Sequence, residues 1–150
     1  MIMCNNDLNE YFETIINKVK ETKIDIPVCA LIVKNSEIIS IATNKREENN
    51  STIAHAEILA IQEANKKLNS WRLDDCDMYV TLEPCPMCAW AIINSRIKNL
   101  YFGSYDIRYG AFGSAINLKE LANSNINVYG GIKEVECNKL LDDYFKRLRG

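Results

Sequence analysis

The 150-residue sequence has little of several features that would place it in a specialised class. It contains only three prolines and six glycines, which excludes collagen-like and proline-rich disordered chains. No apolar run approaches the roughly 20 residues that a helix needs to cross a bilayer. The first residues, MIMCNNDLNEYFE, are polar and acidic and lack the apolar stretch of a signal peptide. We therefore expect a cytoplasmic protein that does not bind membranes.

Basic residues are not in excess either. The chain has 18 Lys and Arg against 20 Asp and Glu, for a formal net charge of -2. This argues mildly against nonspecific nucleic-acid binding, which usually requires a basic surface, but it leaves room for a local basic patch.

The composition is otherwise globular, with 47% hydrophobic residues. Because no linker interrupts the chain, we predict one domain over residues 1–150.

Hydrophobic periodicity predicts an alternating series of helices and strands. The predicted helices span residues 7–22, 54–68, 86–95, 118–123 and 133–148; the predicted strands are a hairpin over 28–42 and segments 77–83, 98–103 and 126–129. Ser51 or Thr52 is expected to cap the helix over 54–68, and the last helix is expected to place Cys137, Leu141, Tyr144, Phe145 and Leu148 on one face. This order predicts an α/β protein, a three-layer α/β/α sandwich around a central mixed five-stranded sheet.

Six cysteines in a reducing cytoplasm do not indicate a disulfide framework. Four of them are isolated in apolar or terminal segments and are interpreted as small buried side chains or surface thiols: Cys4, Cys29, Cys76 and Cys137. Only Cys85 and Cys88, in the stretch TLEPCPMCAWAI, have the spacing of metal ligands. Such a pair is compatible with a structural zinc site, a redox dithiol or a catalytic metal site.

The single histidine, His55, narrows these alternatives. His55, Cys85 and Cys88 make three ligands, whereas a structural zinc usually has four, and three protein ligands with an open position are typical of catalytic zinc. Glu57 follows His55 by two residues and can lie near the metal without binding it. A redox pair would need neither His55 nor Glu57. Purely structural interpretations stay open at this point: His55 as a capping or core histidine and Glu57 as an ordinary acid in the first turn of a helix.

The pattern H-x-E with P-C-x-x-C is the signature of the zinc nucleobase deaminases. Longer stretches extend the likeness: IPVCALIV, NSTIAHAEILAI, WRLDDCDMYVTLEPCPMCAWAIINSRI, YFGSYDIRYGAFGS and LLDDYFKRLR. Over about residues 7–149 the chain resembles the bacterial tRNA-specific adenosine deaminases, in the cytidine deaminase superfamily. Guanine, cytosine and nucleoside deaminases share the zinc motif and form the second hypothesis, but guanine deaminases differ after the motif.

The resemblance implies a cytidine deaminase-like fold, one zinc ion per subunit, and hydrolytic deamination of the wobble adenosine of a tRNA anticodon, in tRNA-Arg, to inosine. It implies that His55, Cys85 and Cys88 bind the metal and that Glu57 is the catalytic acid and base. It also implies a homodimer with the tRNA anticodon stem-loop as its partner. The substrate contacts implied by the same resemblance are Val28, Asn44, Ala56, Asp106, Tyr144 and Phe145. Asn44 is expected to hydrogen-bond the purine, and Asp106 to contact backbone or ribose.

Overall fold

The computed structural model describes residues 5–150, with side chains from residue 7 onward. The helices are α1 (Asn5–Val19), α2 (Ala56–Leu68), α3 (Pro86–Asn94), α4 (Leu118–Leu121) and α5 (Glu134–Arg149). The strands are β1 (Cys29–Lys34), β2 (Glu37–Thr43), β3 (Cys76–Leu82), β4 (Asn99–Ser104) and β5 (Asn127–Tyr129). In this part of the chain no helix is long and apolar enough to cross a membrane.

The five strands form one mixed sheet in the order β2-β1-β3-β4-β5. β1 pairs antiparallel with both β2 and β3, whereas β3, β4 and β5 run parallel. Strand β3 lies in the middle and is buried along most of its length, which explains its nearly continuous apolar sequence. Because β3 and β4 are parallel, the segments that follow them leave the sheet at the same edge.

Helices cover both faces of the sheet and enclose two apolar cores. On one face, α2 and α3 pack with residues such as Ile32, Met78 and Leu100. On the other face, Phe12 and Ile15 of α1 pack against Leu31 and Tyr79. The predicted three-layer α/β/α fold with a mixed five-stranded sheet is therefore confirmed.

One local prediction was wrong. The helix predicted over 54–68 begins at Ala56, and neither Ser51 nor Thr52 caps it, because His55 is the residue in the N-cap position. The apolar face of the last helix is only partly covered, since Cys137 and Tyr144 are buried while Phe145 and Leu148 are exposed. Of the isolated cysteines, Cys29, Cys76 and Cys137 are free and buried, as predicted, and Cys4 lies outside the described residues.

Candidate active site

Two of the predicted metal ligands are the N-cap residues of two helices. His55 precedes α2 and Cys85 precedes α3, and both have extended backbone angles. Their carbonyls accept the first helical bonds, from Leu59 N at 3.0 Å and from Ala89 N at 2.8 Å. Neither side chain caps its own helix, so both are free to point toward a shared centre. Pro86 starts α3 at a position where its missing N–H removes no helical bond.

The three ligand atoms have the mutual geometry that zinc requires. His55 Nδ1 lies 3.7 Å from Cys85 Sγ and 3.5 Å from Cys88 Sγ. All three ligand atoms lie within 4.8 Å of one another. A tetrahedral zinc ion with Zn–S of about 2.3 Å and Zn–N of about 2.0–2.1 Å would place neighbouring N and S ligands about 3.6 Å apart. The two distances from the histidine nitrogen to the sulfurs therefore suit a zinc ion, and three protein ligands would leave one of its four positions for a non-protein ligand.

The protonation of this cluster is set by hydrogen bonds within it. The Cys88 thiol, with a further contribution from His55, stabilises the Cys85 thiolate and lowers the pKa of Cys85 to about 4. The same contact with Cys85 raises the pKa of Cys88, because a second thiolate beside the first is unfavourable. The hydrogen bond to Cys85 also raises the pKa of His55. A divalent cation would replace these shared protons and hold both sulfurs as thiolates.

Glu57 lies beside the ligands in the first turn of α2 and is 4% exposed. Burial raises the pKa of its carboxyl to about 7. A carboxyl group with a pKa near neutrality can both accept and donate a proton at physiological pH. The role of Glu57 as a general acid and base stays a prediction at this point.

Three predicted substrate contacts meet at the edge of this centre. Asn44 follows β2, and its backbone N–H donates to the Val28 carbonyl at 3.2 Å. Its side-chain Oδ1 accepts from the Ala56 N–H at 2.7 Å. Val28 and Ala56 are buried. Asn44 thus supports the start of α2, a contact that the sequence did not predict, while its Nδ2 donates no hydrogen bond to the described residues and is available to a ligand.

The loop after β4 lies next to the ligand segment and carries Asp106. Asp106 Oδ1 accepts from the backbone N–H groups of Arg108 and Tyr109, each at 3.1 Å. One of its carboxylate oxygens therefore shapes its own loop. A contact of Asp106 with RNA stays a prediction.

Glu83, two residues before Cys85, was not among the sequence candidates. It is 1% exposed and accepts hydrogen bonds from residues 106, 112 and 114 of this loop. The only signal for it in the sequence is an acidic residue at the end of an apolar strand. Its partners are 23 to 31 residues away, beyond the reach of local patterns.

The last helix supplies the two remaining predicted contacts. Tyr144 is buried, and its hydroxyl donates to the Ile24 carbonyl at 3.3 Å. Phe145 stands edge-on to Tyr144 with ring centroids 5.3 Å apart and is 44% exposed. Of this pair, Phe145 is therefore the side chain accessible to a ligand, while Tyr144 fastens the helix to the segment before β1.

Comparison with known proteins identifies the family. Residues 6–149 match the family described as MafB19-like deaminase. The tRNA-specific adenosine deaminase of Bacillus subtilis (strain 168) is 43% identical over 143 residues, covering 93% of this chain and 89% of that protein. The tRNA-specific adenosine deaminase of Aquifex aeolicus (strain VF5) is also 43% identical, covering 85% of each.

Solved structures give the same result. A structure from a study of A-to-I editing by tRNA:A34 deaminases at the wobble position of transfer RNA superposes with a TM-score of 0.85 and 34% identity, covering 89% of this chain and 99% of that one. The guanine deaminase of Bacillus subtilis is more distant, with a TM-score of 0.61 and 28% identity over 81% of this chain and 91% of that one. The chain therefore belongs to the tRNA-specific adenosine deaminase family, and it is a hydrolytic deaminase.

Proposed function

We propose that this protein converts the wobble adenosine of a tRNA anticodon, in tRNA-Arg, to inosine, with one zinc ion bound by His55, Cys85 and Cys88. The observation that carries the proposal is the placement of the buried Glu57 beside three ligand atoms with zinc-like spacing. The chain is 43% identical to two tRNA-specific adenosine deaminases, and this supports adenosine in tRNA as the substrate. We place the reaction in the cytoplasm.

A bound zinc ion would supply the Lewis acid that activates water at the open coordination position. Glu57 takes one proton from the attacking water and gives it to the purine ring nitrogen; it then takes the second proton from the hydroxyl formed at C6 and gives it to the amine, which leaves as ammonia while the C6 carbonyl forms. Its raised pKa suits both transfers, because neither protonation state is strongly favoured near pH 7. Asn44 orients the base through its Nδ2, while its Oδ1 holds the start of the helix that carries Glu57.

An anticodon loop is a suitable substrate for this site. Its bases are partly unstacked, so moving one into a pocket costs less than opening a duplex. The loop after β4, which is hydrogen-bonded to the segment before Cys85, exposes Tyr105, Ile107 and Tyr109, and Arg108 lies over the Tyr109 ring at 5.6 Å. Aromatic and guanidinium groups of this kind stack on single-stranded bases. They provide contacts for nucleotides that flank the target adenosine.

A panel of substrates tests this proposal. Zinc-quantified protein is incubated with a tRNA-Arg anticodon stem-loop that carries a wobble adenosine and, in parallel, with the same stem-loop carrying guanosine at that position, free adenosine and free guanine. We expect inosine only in the first stem-loop, detected by nucleoside mass spectrometry. Xanthine from free guanine without inosine in RNA would instead select the guanine deaminase alternative.

We further propose a homodimer. The α3 helix, which follows the ligand Cys85, exposes two large apolar side chains, Met87 at 36% and Trp90 at 51%. A second subunit covering this helix would remove that apolar surface from water. Analytical ultracentrifugation of the wild type and of Trp90→Glu tests this arrangement, since a buried Trp90 predicts a dimer that the charge converts to monomer. An unchanged dimer would place the interface elsewhere.

A further inference from the structure

Glu83 is a buried acidic side chain with no basic partner among the described residues. None of the ion pairs in that part of the chain includes it. Its Oε1 accepts from the Asp106 N–H at 3.1 Å and from the Ser114 hydroxyl, and its Oε2 accepts from the N–H groups of Phe112 at 3.1 Å and Ser114 at 3.2 Å. Four donors and no acceptor face the group, which is the environment a carboxylate requires.

The loop is built closely around this carboxylate. The backbone of Gly110 approaches it so closely that a Cβ at this position would collide with Glu83 Cδ and Oε1 and with the Asp106 carbonyl. Only glycine permits this approach. Asp106 in turn receives the N–H groups of Arg108 and Tyr109. The two acidic side chains thus act in series: Glu83 fixes Asp106, and Asp106 fixes the exposed tip of the loop.

The same short segment also carries a metal ligand. Glu83 and Pro84 connect β3 to Cys85, and both are tied to the loop by backbone bonds. The Glu83 N–H donates to the Ser104 carbonyl at 2.8 Å, and the Ala111 N–H donates to the Pro84 carbonyl at 2.9 Å. The distance between the loop tip and the ligand cluster is therefore set through a few bonded atoms of this segment.

We propose that Glu83 is a positioning residue that aligns the 103–114 loop with the metal centre and thereby determines how RNA flanking the target base is bound. The inference rests on the proposed function for its RNA component. No hydrogen bond among the described residues joins Glu83 to a ligand atom; its partners all lie in the loop. Its effect is transmitted through the N–H groups that it holds.

The variant Glu83→Gln tests this role with little change in shape. The new amide NH₂ can satisfy Ser114 if the hydroxyl turns to accept, but then the Asp106 N–H has no acceptor. The expected result is faster deuterium uptake in peptides spanning residues 104–115, strongest at Asp106, with zinc content unchanged. For the stem-loop, kcat/KM is expected to fall about 10- to 100-fold. This is the size of the loss found when outer hydrogen-bond partners that orient the ligands of metal sites are replaced. Most of this fall is expected in KM.

Two matched variants separate positioning from general damage. Asp77→Asn makes the same chemical change at the other end of β3, where Asn99 Nδ2 donates to Asp77 at 2.7 Å; it is expected to leave loop exchange and KM unchanged. Ser114→Ala removes one hydroxyl but keeps all three N–H contacts to Glu83, so a smaller effect is expected. A purely structural role of Glu83 would lower kcat through fewer folded molecules and leave KM unchanged.

Unchanged loop exchange in Glu83→Gln would overturn the proposal, as would loss of zinc in proportion to activity. The outcome is separate from that of the proposed function. If the wild type forms no inosine in any RNA, the proposed function fails, and the RNA component of this inference fails with it. Deuterium uptake and zinc content still decide whether Glu83 aligns the loop with the metal site.

Discussion

Asn44 has two tasks in this account, and two substitutions separate them. Its Oδ1 accepts the Ala56 N–H at the start of α2 at 2.7 Å, and its Nδ2 is assigned to the purine. Asn44→Asp keeps an acceptor for Ala56 and removes the donor. Asn44→Ala removes both.

The expected sizes follow from the contacts. Losing an acceptor at a helix N-terminus costs about 1 kcal/mol, which lowers Tm by about 2–4 °C for a chain of this length. Asn44→Ala is expected to show this loss. Asn44→Asp is expected to keep the wild-type Tm, because a carboxylate at a helix N-terminus is favourable. Leaving a buried purine acceptor unpaired costs about 1–3 kcal/mol, so both variants should lose about 5- to 150-fold in kcat/KM.

Thermal denaturation of zinc-loaded proteins and stem-loop kinetics give the two quantities independently. If Asn44→Asp loses as much stability as Asn44→Ala, the Ala56 contact does not support the helix. Full activity in Asn44→Asp would show that Nδ2 does not donate to the base. Either result would refute the corresponding half of the argument.

Four further results are expected. Cys85→Ser should lose bound zinc, measured by elemental analysis, together with all activity; metal retention at the wild-type level would contradict the ligand assignment. Gly103→Ala should destabilise the protein by about 1–3 kcal/mol, because a Cβ would collide with Cys137 Sγ and the Thr81 carbonyl; adding Cys137→Ala should restore only part of this in urea titrations, and full restoration would show that the Thr81 contact is unimportant. In metal-free protein, burial raises the pKa of Glu57 from 4.5 to about 7, so the contribution of this group to stability falls as pH rises through that window, while the lowered pKa of Cys85 contributes in the opposite direction; the wild type should therefore lose stability relative to Glu57→Gln, and denaturant titrations from pH 4.5 to 8 that show the same slope in both proteins would oppose this. Binding of the stem-loop should weaken steeply with salt if phosphates are contacted, whereas a flat response in fluorescence anisotropy would count against RNA as the substrate.

The elements that bring the ligands together could be predicted because their signals are local. The apolar sequence of β3, the proline that starts α3 and the spacing of Cys85 and Cys88 each act within a few residues. His55 was found because it is the only histidine in the chain. Its N-cap position was not, because no side chain at 51 or 52 stops the helix; the loop after β2 holds this end instead, with Asn44 bonded to Ala56 and the Lys45 N–H to the Ala54 carbonyl at 2.9 Å.

Glu83 could not be identified as a candidate residue from local sequence patterns. A single acid between an apolar strand and a proline has no distinctive spacing. Its function depends on hydrogen-bond donors in residues 106–114, which are distant from it in the sequence. The exposure of Phe145 and Leu148 could not be predicted from the sequence for a related reason. Helical periodicity identifies an apolar stripe, but it does not say how much of that stripe the neighbouring sheet covers.

The most direct test of the central claim compares wild type with Glu57→Gln, both carrying one zinc per chain, on a tRNA-Arg anticodon stem-loop. Inosine is measured at the wobble position under single-turnover conditions. The account predicts conversion by the wild type and none above background by the variant, with zinc content and Tm of the zinc-loaded proteins retained. Wobble inosine formed by the variant at the wild-type rate would contradict the assignment of Glu57 as the proton-transfer group.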